Sequence, residues 1–223
     1  MMDLIDFETA RHNMVENQIR CCKILDPVLL DTLETMPREA FLPDDIKSLA
    51  YMEGRIPLPC GQEMLSPLQE GYIMQTLDLR GDERVLEIGA GTGFLTALLA
   101  MHAKEVIAFE LHAPLAELAK KNLDAHGITN VTVTCANGME ENTLQDAGKF
   151  DAIVLDAALE TVPEHLANSL REGGHLVAFT GVNPVVKLVS MKRTPSGGWQ
   201  SDALIETLLQ NMEGLPEKRE FVF

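Results

Sequence analysis

The chain has 223 residues, 46% of them hydrophobic and 23% charged, with a formal net charge of −16. That length and mixture exclude a disordered polypeptide and suit one hydrophobic core of ordinary size. The acidity opposes general binding to phosphate backbones, so nucleic acid is not an expected partner, and no stretch approaches the roughly 20 apolar residues that a membrane-spanning helix needs.

The start, MMDLIDFETARH, carries early acids and no apolar export segment, which points to a cytosolic protein. Asp6 or Thr9 can cap a first helix running to about Cys22. Asp26-Pro27 opens a second, with proline in the favoured first turn, ending near Met36-Pro37. A loop punctuated by Pro43, Pro57, Pro59 and Gly61 follows, and another helix begins near Ser66-Pro67 and runs to Leu77. Residues 1–80 thus read as a helical region with a loop, and residues 81–223 as an α/β core integrated with it. RVLEIG is a short strand, Phe94 to about His102 a helix and EVIAFE a second strand. A helix over 114–126 is stopped by Gly127. NVTVTC and FDAIVLDA are the third and fourth strands. Pro163 to Leu170 reads as helical, and Gly173-Gly174 turns into HLVAFT. Strands alternating with helices predict a mostly parallel sheet with helices on both faces. In the tail, VKLVSMK and SDALIETLL read as two antiparallel strands around Gly197-Gly198, with a helix as the alternative for the second.

The motif with the most chemistry is VLEIGAGTGF. A strand leads into Gly89-Ala90-Gly91-Thr92-Gly93 and a helix follows. The glycines permit a sharp turn and close approach to a ligand, and the helix N-terminus offers free amides. Glu110 ends the next strand, where an acid accepts hydrogen bonds from ribose hydroxyls, with Leu111 beside it. A dinucleotide fingerprint would place its third glycine where Phe94 stands, and Glu87 adds a carboxylate that suits a cation better than a pyrophosphate. S-adenosylmethionine, a nucleoside bearing a sulfonium and an ammonium, therefore fits the loop better than NAD. At the end of the third strand, Asn137 can meet the adenine edge and Met139 its face, around Gly138; the alternative is a plain Asn-Gly turn. Asp156-Ala157-Ala158 ends the fourth strand, where Asp156 can line the mouth of the site. Cys21, Cys22, Cys60 and Cys135 show no metal-ligand spacing and the histidines are scattered, so reduced thiols and no metal site are expected.

From about Ala10 to Gly181 the chain resembles the protein-L-isoaspartate (D-aspartate) O-methyltransferase family. NMVENQIR, ILDPVLLDTLETMPREAFLP and AYMEGRIPLPCGQ carry the resemblance in the N-terminal third. VLEIGAGTGFLTALLA, VIAFELHAPLAELAKKNL and GKFDAIVLDAALETVPEHLANSLREGGHLVAF carry it in the core. It implies a Rossmann-like class I methyltransferase fold with N-terminal helices covering the site, and repair of damaged proteins by methylating isoaspartyl carboxyls. The family's substrate loop usually reads Gly-Gln-Thr-Ile-Ser-x-Pro. Here Glu63 holds the threonine place and Leu65 the serine place, while Ser66 sits one position later and is the candidate catalytic hydroxyl. Asn137 stands for the usual aspartate, and the tail GLPEKREFVF is closer to divergent bacterial members.

A carboxylate acceptor, with a reference pKa of about 4, is ionised at neutral pH and needs no general base. Positioning and desolvation then supply the catalysis. The expected partner is a protein or peptide bearing a carboxylate. The rival readings are a related methyltransferase with a different acceptor and a cofactor-binding module of little turnover.

Overall fold

The Asp6 carboxylate accepts a hydrogen bond from the Thr9 backbone N–H at 3.2 Å, satisfying an orphan donor at the start of α1 (Phe7–Met14). The computed structural model describes residues 6–145, 147–194 and 198–215. The expected run to Cys22 is continuous in path but changes winding. Val15–Ile19 is a π turn and Arg20–Cys22 a tighter 3-10 turn, ended by Lys23 in the left-handed region. Asp26 caps α2 (Pro27–Thr35), whose proline occupies the first turn. Two 3-10 turns, Arg38–Phe41 and Lys47–Leu49, lead to a small ribbon of β1 (Ile56–Pro57) and β2 (Glu63–Met64). A reciprocal capping box between Ser66 and Gln69 then starts α3 (Pro67–Leu77).

The main sheet holds β3 (Arg84–Ile88), β4 (Glu105–Glu110), β5 (Val131–Cys135), β6 (Phe150–Leu159), β7 (Leu170–Val182), β8 (Val185–Arg193) and β9 (Trp199–Thr207). Their order is β5-β4-β3-β6-β7-β8-β9. The first five in that order run parallel, and β8 and β9 are antiparallel additions. Helices α4 (Phe94–His102), α5 (Ala113–Ala125), α6 (Glu141–Leu144) and α7 (Glu164–Asn168) lie between strands. This is the Rossmann-like α/β architecture that the strand and helix alternation predicts. Strand order reverses between β3 and β6, which opens a crevice at their carboxyl ends.

Three boundaries differ from expectation. β6 continues through Ala157-Ala158 to Leu159, β7 begins at Leu170 and α7 is correspondingly short. The ambiguous SDALIETLL segment is strand as far as Thr207, because β8 leaves an edge whose backbone groups β9 pairs from Val186↔Thr207 to Arg193↔Trp199. Gly197 of the expected turn lies outside the described residues, as do residues 216–223 of the tail. The N-terminal helices pack with α4 and α5 on one face of the sheet, in a single apolar cluster that contains Met14, Phe41, Leu65, Phe94, Val154 and Leu209. A second cluster, with Ile88, Phe109, Met139 and Leu166, fills the other face.

Candidate active site

The glycine loop leaves β3 along a path that side chains resist. Gly89, Gly91 and Gly93 have φ of 106°, 55° and 87°. A Cβ on Gly93 would lie 3.2 Å from the Ala119 Cα, so this glycine lets α5 close against the loop. One on Gly89 would lie 3.1 Å from the Asp156 Cβ. The Glu110 carboxylate braces the same loop. One oxygen accepts from the Gly91 N–H at 2.8 Å and the other from the His112 N–H at 2.9 Å. Phe94 meets the Phe41 ring edge-on at 5.3 Å and lies 4.8 Å beneath the Arg38 guanidinium, so the position where a dinucleotide fold wants glycine is spent on joining α4 to the N-terminal cover.

Gly89, Ala90, Gly91, Thr92, Glu110, Leu111, Asn137, Gly138, Met139 and Asp156 line one cavity at the crevice. Gly93 stands behind the loop as the N-cap of α4, and Glu87 is fully buried below the floor. Met139 is buried and Leu111 forms an exposed lip. Asn137 is less free than its sequence position implies. Its amide oxygen accepts from the Met139 N–H at 3.0 Å, and its amide nitrogen donates to the Gly214 carbonyl at 2.8 Å. It therefore sets the turn and ties down the tail.

The substrate loop departs from expectation. Ser66 does not line the cavity: its hydroxyl accepts from the Gln69 N–H at 3.3 Å, because the start of α3 needs a cap. Leu65, Met64 and Glu63 are the loop residues that face the cavity, with Leu58 and Gln62. Glu63 is not a bare charge, since Arg55 donates to it at 2.7 Å. Arg38, unremarked in the sequence, shapes this loop from beneath. It is buried, donates to the Leu65 carbonyl at 2.6 Å and the Ala50 carbonyl at 2.8 Å, and pairs with the buried Glu70.

The residues that follow β9 also belong to the cavity and carried no local signal. The Ala158 N–H donates to the Gln210 carbonyl at 2.8 Å and the Met212 N–H to the Ala158 carbonyl at 2.6 Å, laying the segment over the end of β6. Glu213 then accepts from the Gln62 side chain at 2.9 Å and stands 3.2 Å from the His112 ring nitrogen. Leu209, Gln210, Met212 and Glu213 thereby complete the wall. These ties join positions as much as 151 residues apart in sequence, which no motif spacing announces.

The donor set fits S-adenosylmethionine. The loop offers close-approaching backbone, Glu110 a carboxylate beside it, Leu111 and Met139 apolar faces, and Asp156 a second carboxylate at the wall. Among the described residues, no group of three or more His, Cys, Asp or Glu is placed to hold a metal ion, and no helix is long and apolar enough to cross a membrane.

Comparison with known proteins agrees with this geometry. The family described as protein-L-isoaspartate(D-aspartate) O-methyltransferase matches residues 9–208. A protein-L-isoaspartate O-methyltransferase of Methylorubrum extorquens is 39% identical over 79% of this chain and 76% of its own. Protein-L-isoaspartate O-methyltransferase 2 of Shewanella sediminis is 36% identical over 88% of this chain and 81% of its own. Among solved structures, a Plasmodium falciparum protein described as such an enzyme, in complex with S-adenosyl-L-homocysteine, superimposes with a TM-score of 0.76 at 19% identity, over 94% of this chain and 99% of that one.

Proposed function

The chain belongs to the protein-L-isoaspartate (D-aspartate) O-methyltransferase family, and from that premise we propose that it methylates the α-carboxylate of isoaspartyl residues in proteins of the cytosol, using S-adenosylmethionine. The observation that carries the reading is the single cavity into which the glycine loop, Glu110 and the N-terminal substrate loop all converge.

When bound, S-adenosylmethionine supplies an electrophilic methyl group. The chain's own residues hold and shield. The loop amides and Glu110 would hold its nucleoside, and Leu111 and Met139 would offer the adenine apolar faces. Leu58, Met64 and Leu65 exclude water from the reacting end, which strengthens every electrostatic contact there. The acceptor carboxylate is already ionised, so its required help is alignment and loss of water rather than proton removal.

The Glu63–Arg55 pair and the apolar Leu65 favour a second reading, in which the loop is adapted to an acceptor other than isoaspartate. Transfer of labelled methyl groups to an isoaspartyl peptide, with the aspartyl peptide as control, separates the two. Labelling of the isoaspartyl peptide alone supports the first. No labelling of either, with activity gained by the Glu63→Thr, Leu65→Ser double variant, supports the second.

A further inference from the structure

Three carboxylates share one face of the sheet at the switch point. Glu87 pairs in register with Ala108 of β4 and with Val154 of β6. Glu110 comes two residues later on β4 and so projects from the same face, and Asp156, where β6 shifts register against β7, turns its carboxyl to Glu87. Glu110 is satisfied by two backbone amides. Glu87 is 0% exposed, and its carboxyl meets that of Asp156 and the Thr96 hydroxyl but no positive charge. Asp156 lines the cavity, and its Oδ1 is sealed from solvent, with the Glu87 carboxyl as its neighbour.

What packs around them does not neutralise them. Thr96 of α4 faces Glu87 with a buried hydroxyl, a neutral donor that eases the charge without balancing it. The charged groups that bear on the pair are Glu110 from β4 and Glu70 from α3, both acidic. Arg38, on the 3-10 turn behind Glu70, already serves Glu70 and the Ala50 and Leu65 carbonyls. Dehydrated neighbouring carboxyls without a counter-charge do not both ionise. Burial, the largest cause, pushes Glu87 up to about 8, with smaller upward contributions from the charges of Glu110 and Glu70 and against the lowering contacts with Thr96 and Asp156. Burial and the charge of Glu87 hold Asp156 well above the usual carboxylate range.

A site that lacks one positive charge is suited to a ligand that brings one. We propose that Glu87 and Asp156 form a proton-exchanging, charge-selective element: the pair holds a proton when no ligand is bound and releases it to solvent when the sulfonium of S-adenosylmethionine enters. The inference rests on the cofactor reading above. When the methyl group leaves, the electron pair of the broken carbon–sulfur bond stays on sulfur, the positive charge disappears, and the carboxyl pair takes a proton back from solvent. The element thus favours the methyl donor over the neutral thioether product and weakens the hold on product after each turnover.

Calorimetric titration of wild-type protein with S-adenosylmethionine and with S-adenosylhomocysteine, in buffers of different ionisation enthalpy at neutral pH, counts the protons released. The donor is expected to release up to one more proton than the product. Its dissociation constant should fall about tenfold per pH unit below pH 8 and level off above it, while that of the product stays flat. The Glu87→Gln, Asp156→Asn double variant should lose the difference. Equal proton release and parallel pH profiles for the two ligands in the wild type overturn the inference and leave the cofactor reading standing. Failure of the folded wild type to bind either ligand removes both.

Discussion

The two ends of the cavity are built by different means. At the end proposed for the nucleotide, the groups on offer are backbone amides and carboxylates at the tips of adjacent parallel strands, fixed by the glycine loop and by Glu110 bridging Gly91 and His112. At the acceptor end, the wall is assembled from side chains brought together over long stretches of chain. Arg38 holds the loop at Leu65, Arg55 holds Glu63, and Glu213 of the tail meets Gln62 and His112. The first end is preserved wherever the strand–loop–helix unit folds. The second depends on each individual tie, so it is the end free to vary in specificity.

Removing a tie should therefore have its largest effect at the acceptor end, and Arg38 is the deepest one. Arg38→Ala strands the buried Glu70 and frees two carbonyls, and breaking such a pair costs about 3–5 kcal/mol. Urea denaturation should record a loss of that size. A loss under about 1 kcal/mol, within the range of an exposed pair, would mean that the substrate loop is held by its apolar packing instead.

Glu110 tests the nucleotide end. A hydrogen bond to a charged group is worth about 1.5–3 kcal/mol, so Glu110→Ala should weaken S-adenosylmethionine and S-adenosylhomocysteine alike, by roughly ten- to a hundredfold. Equal losses are expected because the nucleoside is common to both ligands. A loss confined to the methyl donor would place Glu110 with the charge-sensing carboxylates, and the division between the two ends would have to be redrawn.

The same division explains what could be read from sequence. The sheet, its parallel core and the loop from Gly89 to Gly93 were legible because their signals are local: apolar runs of strand length, glycines where φ is positive, an acid at the next strand end. Glu87 reads from the sequence as a carboxylate near the loop, and its complete burial depends on α3 and α4 packing over it. Asn137 reads as an adenine contact until Gly214 is seen to occupy its amide nitrogen. Arg38 was hidden inside an amphipathic stretch. An arginine is ordinarily a surface residue, and only tertiary packing turns this one into a buried bracket.

Ser66 lies at the seam between the two ends, and it gives the smallest effect and the finest test. By alignment with the resembling loop, it is the hydroxyl nearest to the missing serine. In the fold, its hydroxyl accepts from Gln69 while the Gln69 side chain accepts from the Ser66 N–H at 2.9 Å, and Ser66 is absent from the cavity wall. Ser66→Ala should then cost about 1 kcal/mol of stability, the ordinary value of an N-cap, with kcat/KM on the true acceptor unchanged. Ser66→Gly should recover most of that stability, since glycine is tolerated at caps at a cost of a few tenths of a kcal/mol. A fall in kcat/KM without loss of stability would instead assign the hydroxyl to the acceptor. The cap would then be incidental, and the acceptor end would rest on a local loop motif after all, as the nucleotide end does.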